Sequence, residues 1–350
     1  MDPGYSSYID ALLADLRFEL TPIEGRIVES VFIGGGTPSL FPAEQIKRLL
    51  DGIADQIACS NPMEATLEAN PGTLEAGRYA GYREAGINRL SLGVQSFSSA
   101  ALRHLGRIHG PDESIQAFSQ AREAGFENIN LDLMFGLPKQ SVEEAGFDLQ
   151  TAIDLAPEHI SYYQLTIEPN TRFAAYPPSL PNDARLWDIQ QQGQLMLSGA
   201  GYKQYEVSAY SRAERQCRHN LNYWNFGDYL GIGAGAHGKV SDPLRKQIRR
   251  RSRIRGPEPY MAAAGTPQAL SGSFSLKEAD LIIEFMMNLL RLNSGFSEQL
   301  FQDRTGLPIA RVKPILLAAQ RGGLLLSKGE SIRPTDLGHR YLNDLLAFFV

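Results

Sequence analysis

Short apolar runs alternate with longer stretches of mixed polarity along the first half of the chain. We interpret the apolar runs as strands, and they lie near residues 27–33, 64–68, 89–95, 129–134 and 160–167. One strand and one helix in every roughly 25 to 35 residues is typical of βα units around a parallel sheet. Pro42 fits the first turn of a helix that runs to Leu50, and Gly86 and Gly125 fit helix C-cap positions. The pattern therefore predicts an α/β fold.

An internal repeat strengthens this prediction. Residues 83–94 (REAGINRLSLGV) and 122–134 (REAGFENINLDLM) both suggest a helix end, a glycine and a strand. Two copies of one βα unit favour a barrel-like sheet, and in parallel barrels the functional residues gather at the carboxyl ends of the strands. Gly35, Glu68, Gln95 and Asp132 fall at those ends, so we expect them to face one pocket.

The composition is that of an ordinary globular protein. The chain has 350 residues, of which 43% are hydrophobic and 21% charged, enough for a large core and two or three domains. A net charge of −5 gives no general attraction to nucleic acid or anionic lipid. No apolar stretch approaches the roughly 20 residues of a membrane helix, and residues 1–10 do not resemble a signal peptide. We therefore expect a cytoplasmic protein.

A proline-rich segment, AYPPSLPND at residues 175–183, interrupts the βα rhythm. We therefore predict one domain over residues 1–175, a covering region over 176–260 that holds the HNLNYW and GIGAGAHG segments, and a third domain over 261–350. From Ser273 onward we expect three helices, a hairpin around Gly329 and a final helix. That order resembles a winged helix.

A glycine triplet follows the first predicted strand, in the sequence GGGTP at residues 34–38. A backbone without side chains lets a ligand approach closely, and a tight strand-to-helix turn is the alternative interpretation. Together, GGGTPSLF, LEANPG, LSLGVQSF, NLDLMFGLP and HNLNYW resemble the radical S-adenosylmethionine (SAM) proteins of the oxygen-independent coproporphyrinogen III oxidase group, and most closely its HemW-type heme chaperones. The resemblance covers residues 8 to 350. It implies a partial (β/α)6 barrel lacking its first strand, followed by a winged-helix-like α+β domain.

The resemblance also implies a SAM pocket at the strand ends. A carboxylate suits an ammonium group or ribose hydroxyls, and an arginine suits a carboxylate, because charge-assisted hydrogen bonds are stronger than neutral ones. Each such residue alone could instead form an ordinary ion pair near a helix cap. The residues that the resemblance assigns to SAM are Gly35, Gly36, Thr37, Glu68, Gln95, Arg107, Asp132 and Thr166.

The HNLNYW segment, residues 219–224, holds candidate heme contacts. Imidazole is a common axial ligand of heme iron, aromatic rings can lie against a porphyrin face, and the motif is associated with heme binding in HemW-type proteins. The alternative is that His219 is a structural histidine in an aromatic corner. As iron ligand we rank His219 first, His237 of the GIGAGAHG segment second and Cys217 third. The full set of candidate heme residues is His219, Asn220, Tyr223, Trp224 and His237.

The chain departs from the family pattern before the GGGTP loop. There the group carries a strand and a C-x3-C-x2-C motif, whose three thiolates hold a [4Fe-4S] cluster that leaves one iron for SAM. Here no cysteine precedes Cys59, and Cys59 and Cys217 cannot replace the motif. We therefore expect no ligands for a [4Fe-4S] cluster and an exposed apolar edge at residues 27–33. Because such an edge favours aggregation, a misassigned start or an incomplete gene model is the favoured explanation.

The resemblance predicts a heme chaperone that transfers heme to apoproteins, with transfer gated by SAM and the cluster. One alternative is an oxygen-independent coproporphyrinogen III oxidase, acting by oxidative decarboxylation in porphyrin biosynthesis. Another is a degenerate member of the group that keeps only the fold and heme binding. Enzymatic activity is left open, as are homodimerisation and transient contact with membrane proteins.

A basic run occupies residues 245–255, where seven of eleven residues are Lys or Arg. We expect a solvated loop there, and pairing with heme propionates is the alternative. The candidate recognition helix of the winged-helix-like domain, residues 309–321, carries only three cations, and the chain as a whole is acidic. We therefore expect no nucleic-acid binding.

Overall fold

A computed structural model describes residues 4–20, 23, 25–72, 77–242 and 247–350. Its contacts define two compact units. The first unit comprises Met1–Glu29, Arg48–Met63 and Arg218–Val350, and the second comprises Ser30–Lys47 and Glu64–Cys217. The division at residues 175 and 260 that the sequence suggests stays a prediction.

Strands and helices alternate through most of the second unit. The strands are β1 Val28–Ile33, β2 Cys59–Ala69, β3 Arg89–Gln95, β4 Ile129–Phe135, β5 His159–Gln164, β6 Lys203–Glu206, β7 Ala209–Ser211, β8 His237–Asp242, β9 Gln247–Arg253, β10 Leu270–Ser275, β11 Phe296–Ser297, β12 Leu325–Lys328 and β13 Ser331–Pro334. The α-helices are α1 Tyr5–Glu19, α2 Ala43–Ala54, α3 Tyr79–Glu84, α4 Ser99–His104, α5 Pro111–Glu123, α6 Val142–Asp154, α7 Arg172–Ala175, α8 Asp183–Gly199, α9 Arg218–Trp224, α10 Pro257–Ala263, α11 Glu278–Leu289, α12 Glu298–Thr305, α13 Lys313–Arg321, α14 Asp336–Arg340 and α15 Leu342–Leu346. Over the described ranges, none of these helices is long and apolar enough to cross a membrane.

The larger sheet has the strand order β1-β2-β3-β4-β5-β7-β6. β2, β3, β4 and β5 pair in parallel, so that Leu67 lies beside Leu90 and Leu131 beside Ile160. β7 then joins β5 in the antiparallel sense. Parallel neighbours need a crossover connection, and helices supply it here. The α/β fold predicted from the alternating pattern is confirmed.

Two of the predicted helix ends have the geometry that their glycines suggest. Gly86 and Gly125 follow α3 and α5 with φ of 106° and 86°, the left-handed region that glycine adopts without strain. After Gly125, the Phe126 N–H donates to the Ala121 carbonyl at 3.1 Å. This bond closes the helix in a Schellman motif and aims the chain into the next strand.

The helix after Pro42 is longer than predicted. It ends at Ala54 instead of Leu50, because apolar residues continue at helical spacing. Ile46, Leu49, Leu50 and Ile53 are all buried, at positions i, i+3, i+4 and i+7 of one face. β5 is shorter than predicted and ends at Gln164, five residues before a proline.

Residues 247–253 of the basic run form β9, so the expected solvated loop is wrong for these residues. β9 is the middle strand of a three-stranded antiparallel sheet in the first unit, with the order β10-β9-β8. Arg253 is buried. Its Nε lies 2.9 and 2.8 Å from the two carboxylate oxygens of Asp15, and its Nη2 donates to Glu19. Acidic side chains of α1 therefore neutralise the end of the run. Arg245 and Lys246 lie outside the described residues.

The C-terminal part of the first unit has the predicted winged-helix-like order. α11, α12 and α13 precede the β12–β13 hairpin, whose turn contains Gly329, and β11 pairs with β13. The predicted starting point, Ser273, lies in β10 instead of a helix. Phe285 is fully buried at the centre of this part, with the rings of Phe296 and Phe301 each 5.1 Å away at nearly right angles.

Candidate functional site

One face of the larger sheet is polar and buried. Polar and apolar residues alternate along β3, β4 and β5, and paired residues of parallel strands point to the same face. Ser91 pairs with Asn130, and Asn130 pairs with His159. Arg89 and His159 on this face are 2% and 0% exposed. This alternation is visible in the sequence RLSLGVQ and INLDLM, and it could have predicted the polar face, which the motifs by themselves did not indicate.

A hydrogen-bond network occupies this face. The Asn130 Oδ1 lies 2.6 Å from the His159 Nδ1, and the His159 Nε2 lies 2.8 Å from the Tyr205 hydroxyl. The Asn130 Nδ2 donates to Ser91 Oγ at 2.7 Å and to Asp132 Oδ1 at 2.9 Å. Burial lowers the pKa of His159 well below its usual range, and the Arg89 charge adds to this shift. The network thus holds Asp132 through neutral partners.

Glu68, near the carboxyl end of β2, and Asp132, in the middle of β4, form an acidic pair. The predicted strand-end position of Asp132 is therefore wrong, because β4 continues to Phe135. Burial raises the pKa of Asp132, while hydrogen bonds from Asn130, Ser161 and Ser91 act in the opposite direction. Burial also raises the pKa of Glu68, and the nearby Asp132 charge raises it further. Two carboxylates so arranged favour a cationic ligand. A positive charge would offset both their mutual repulsion and the free-energy cost of removing them from water.

The GGGTP loop lies against Glu68. The Gly35 N–H donates to Glu68 Oε2 at 3.1 Å, and a Cβ on Gly34 would lie 2.8 Å from the same oxygen. Gly35 and Gly36 have φ of 81° and 61°, and a Cβ on either would meet no described atom within 4 Å. Thr37 follows directly, and its carbonyl accepts the Leu40 N–H at 3.1 Å. The loop offers open space beside a carboxylate.

Gln95 ends β3 in an unusual conformation. Its φ is 68°, a left-handed value that costs a non-glycine residue about 1–3 kcal/mol. Its side-chain Oε1 accepts the Tyr163 hydroxyl at 2.7 Å. The pKa of Tyr163 is raised by burial and by Asp132, and Arg107 and Glu68 also act on it. Gln95 therefore contacts this tyrosine, and the charges of Glu68, Arg107 and Asp132 act on it.

Arg107 is positioned by the end of α4. Gly106 has φ of 72°, and the Arg107 N–H donates to the Leu102 carbonyl at 2.9 Å, which is again the Schellman pattern. The Arg107 guanidinium donates to the Oδ1 of Asn70, the residue directly after β2, at 3.2 Å. Thr166 is exposed, and its hydroxyl donates to Glu168 Oε1 at 3.2 Å.

The candidate heme residues lie in the first unit. His219, Asn220, Tyr223 and Trp224 are on α9, where each is partly exposed, and His237 begins β8 and is exposed.

The aromatic rings of α9 already pack against protein. The Tyr223 ring lies 5.0 Å from that of Tyr229 and 5.1 Å from that of Trp224. The Arg291 guanidinium covers Trp224 at 4.4 Å, and Trp224 packs on the C-terminal core. The two rings thus have a structural role here, while His219 is partly exposed and His237 is exposed.

Comparisons with known proteins agree with these motifs. A model of the radical SAM superfamily matches residues 15–150, and a model of the HemN C-terminal domain matches residues 276–341. The chain is 48% identical to the heme chaperone HemW of Haemophilus influenzae over 98% of its own length and 89% of that protein. It is 46% identical to the heme chaperone HemW of Escherichia coli over 99% and 90%. The chain belongs to the HemW family.

The fold of this HemW-family chain resembles a solved structure of a related protein. Coproporphyrinogen III oxidase (HemN) from Escherichia coli, described as a radical SAM enzyme, superimposes with a TM-score of 0.80 over 100% of this chain and 84% of that one, at 23% identity. The predicted family resemblance is confirmed, and so is the radical-SAM-type half-barrel with an extra C-terminal domain.

The residues of this HemW-family chain fit one of the two radical SAM cofactors. The open glycine loop and the acidic pair Glu68 and Asp132 suit the cationic amino-acid end of SAM. They do not fit a [4Fe-4S] cluster held by three thiolates. The chain has two cysteines, Cys217 is buried, and within the described ranges no group of three or more His, Cys, Asp or Glu residues could hold a metal ion.

Proposed function

We propose that this chain binds heme and transfers it to apoproteins in the cytoplasm. The observation that carries the proposal is the similarity of nearly the whole chain to proteins named heme chaperone HemW, at 48% and 46% identity. Two histidines that are not buried, His219 and His237, support it, because one axial nitrogen ligand is sufficient to hold heme iron. His219 is our first choice as the iron ligand, Asn220, Tyr223 and Trp224 form its surroundings, and His237 is the rival ligand.

The strand ends of the second unit would form a separate pocket for SAM. Gly35, Gly36 and Thr37 would lie along the amino-acid end of SAM. A second group of side chains would bind its charged and hydroxyl groups: Glu68, Gln95, Arg107, Asp132 and Thr166. SAM bound to a radical SAM cluster supplies a 5′-deoxyadenosyl radical. No step of the proposed function uses that chemistry, because the residues present do not fit the cluster. We propose SAM as a ligand that modulates heme transfer.

A heme titration followed by absorbance tests the proposal. The wild-type chain should bind one heme with a shifted Soret band and release it to a globin apoprotein. His219→Ala should weaken heme binding about tenfold or more, since losing an axial bond removes at least about 1.4 kcal/mol. His104→Ala is the matched control, because His104 is exposed in the last turn of α4 and belongs to neither candidate site.

The outcomes separate the candidate ligands and functions. An unchanged Soret band in His219→Ala together with a lost one in His237→Ala moves the iron ligand to His237. Absence of heme binding by the wild-type chain contradicts the chaperone proposal. Binding without transfer to the globin would leave a heme-binding protein and remove the transfer step.

A further inference from the structure

The turn at Gln95 connects two of the proposed SAM contacts, Gln95 and Arg107. It directly follows β3, and the Ser96 N–H donates to the Val94 carbonyl at 2.9 Å, which closes a γ-turn around Gln95. A γ-turn with positive φ is the rare, strained form. Four residues later α4 begins, and that helix leads to Arg107. The shape of this turn therefore determines the direction of the Gln95 side chain and the starting point of the segment that leads to Arg107.

A carboxylate from a different helix fixes the residues after the turn. Asp148 of α6 is 2% exposed, and its Oδ2 accepts the Ser96 hydroxyl at 2.6 Å while its Oδ1 accepts the Phe97 N–H at 2.7 Å. The Ser96 Oγ in turn accepts the Ser98 N–H at 3.0 Å. Both short bonds thus act on the two residues that follow Gln95.

The other side of the turn is held by uncharged acceptors. The Val94 carbonyl lies 3.2 Å from the His109 Nε2, and the Gln95 side chain accepts the Tyr163 hydroxyl. Burial raises the pKa of Asp148 to about 6, while its bonds to Ser96 and Phe97 act against that rise. Burying a carboxylate costs free energy unless hydrogen bonds compensate for the lost water. Ser96 and Phe97 supply those bonds here. Strained backbone persists only where the surroundings hold it.

We propose that Asp148 is a positioning residue of the SAM pocket, whose carboxylate holds the Gln95 turn in its strained shape. Asp148 acts through Ser96 and Phe97 and does not itself touch the ligand. The inference rests on the proposed SAM pocket, because it assigns a role in ligand binding to the geometry of Gln95.

A double-mutant cycle tests this role. SAM affinity is measured by calorimetry for the wild-type chain, Asp148→Ala, Gln95→Ala and the double variant. If Asp148 acts through Gln95, Asp148→Ala weakens SAM binding about tenfold in the wild-type background and much less in the Gln95→Ala background. A general loss of packing would weaken both backgrounds equally. Asp154→Ala is the matched control, because Asp154 is exposed on the same helix and bonds only to Gln150 in the described chain.

A crystal structure of Asp148→Ala gives a second readout that needs no ligand. We expect residue 95 to leave the positive-φ region and to lose its bond to Tyr163. Residue 95 remaining at positive φ, or equal losses of affinity in both backgrounds, overturns the proposal. If the wild-type chain does not bind SAM, the proposed pocket fails, and the ligand-binding role of Asp148 fails with it. The crystal structure then still decides whether Asp148 holds the turn. If Asp148→Ala does not fold, Asp148→Asn, which keeps one acceptor oxygen, replaces it.

Discussion

Neighbouring glycines of the GGGTP loop are needed for different physical reasons. Gly34 is constrained by space, because a Cβ there would lie 2.8 Å from both Glu68 Oε2 and a Phe32 ring carbon. Gly35 has free space around it, and its constraint is the positive φ of 81°. The sequence shows three identical letters, so it could predict the loop but not this difference between its members.

Substitutions at the two glycines should therefore separate stability from site geometry. Gly35→Ala should lower the free energy of unfolding by about 1 kcal/mol, the usual penalty for a side chain in a left-handed conformation. Gly34→Ala should displace the Glu68 carboxylate and break its bond from the Gly35 N–H. Denaturant unfolding and crystal structures of both variants measure these effects. An unmoved Glu68 in Gly34→Ala contradicts the second expectation.

The acidic pair should make SAM binding depend on pH. Burial raises the pKa of both Glu68 and Asp132, so they take up protons at a higher pH than ordinary carboxyl groups. Protonation removes negative charge from the pocket, and affinity for cationic SAM should therefore fall as the pH is lowered from about 8 to about 5. Calorimetry of wild type and Glu68→Gln over this range checks the sign. The variant should bind more weakly with a flatter profile, and a wild-type affinity that rises at low pH would contradict it.

Elements with local signals were predictable, whereas those defined by distant partners were not. The four parallel strands and the glycine-ended helices follow from patterns within about ten residues. The position of β9 does not, because the carboxylates that make a buried arginine tolerable, Asp15 and Glu19, lie more than 230 positions away in the chain. For the same reason Asp148, which contacts Ser96 and Phe97, could not be connected with Gln95 from the sequence.

The buried ion pair of β9 should contribute much more to stability than its position in a basic run suggests. Removing one partner of a buried pair typically costs about 3–5 kcal/mol, because the other charge stays buried and uncompensated. Arg253→Met should therefore destabilise the protein by about that amount. Arg255→Met, an exposed neighbour two residues later, should change stability by less than about 0.5 kcal/mol. Equal midpoints for the two variants in urea would show that the pair is not stabilising.

At the scale of the whole molecule, the arginines that cluster on β9 are largely neutralised by acidic side chains. Arg250 and Glu284 form an ion pair, Arg251 pairs with Glu19 at 2.6 Å, and Arg253 is buried. The net charge of the chain is −5. Over residues 247–255, the described part of the basic run, these pairings interrupt the continuous positive surface that nucleic-acid binding requires.

We accordingly expect no measurable binding to DNA. A fluorescent duplex of about 30 base pairs in low salt should show no saturable anisotropy change up to about 10 µM protein, a concentration at which ordinary non-specific binders respond. Glu278→Gln, which frees Arg311 on the winged-helix-like part from its ion pair at 3.3 Å, is a sensitised control and should behave in the same way. Saturable binding that weakens steeply with salt would contradict the expectation and would mean that the remaining cations form a phosphate-binding surface.

The pairing of α1 with β9 also has a consequence for synthesis on the ribosome. Asp15 and Arg253 are 238 positions apart, so at about 5–20 residues per second α1 leaves the exit tunnel about 12–48 s before its partner. During that time Asp15 and Glu19, buried in the finished protein, lack their arginine partners on β9. The second unit ends at Cys217, so all of its residues are synthesised before Arg253 and it can fold before α1 is paired with β9. α1 thus reaches its final contacts long after it has been synthesised, and we expect a folding helper to act on it during that interval.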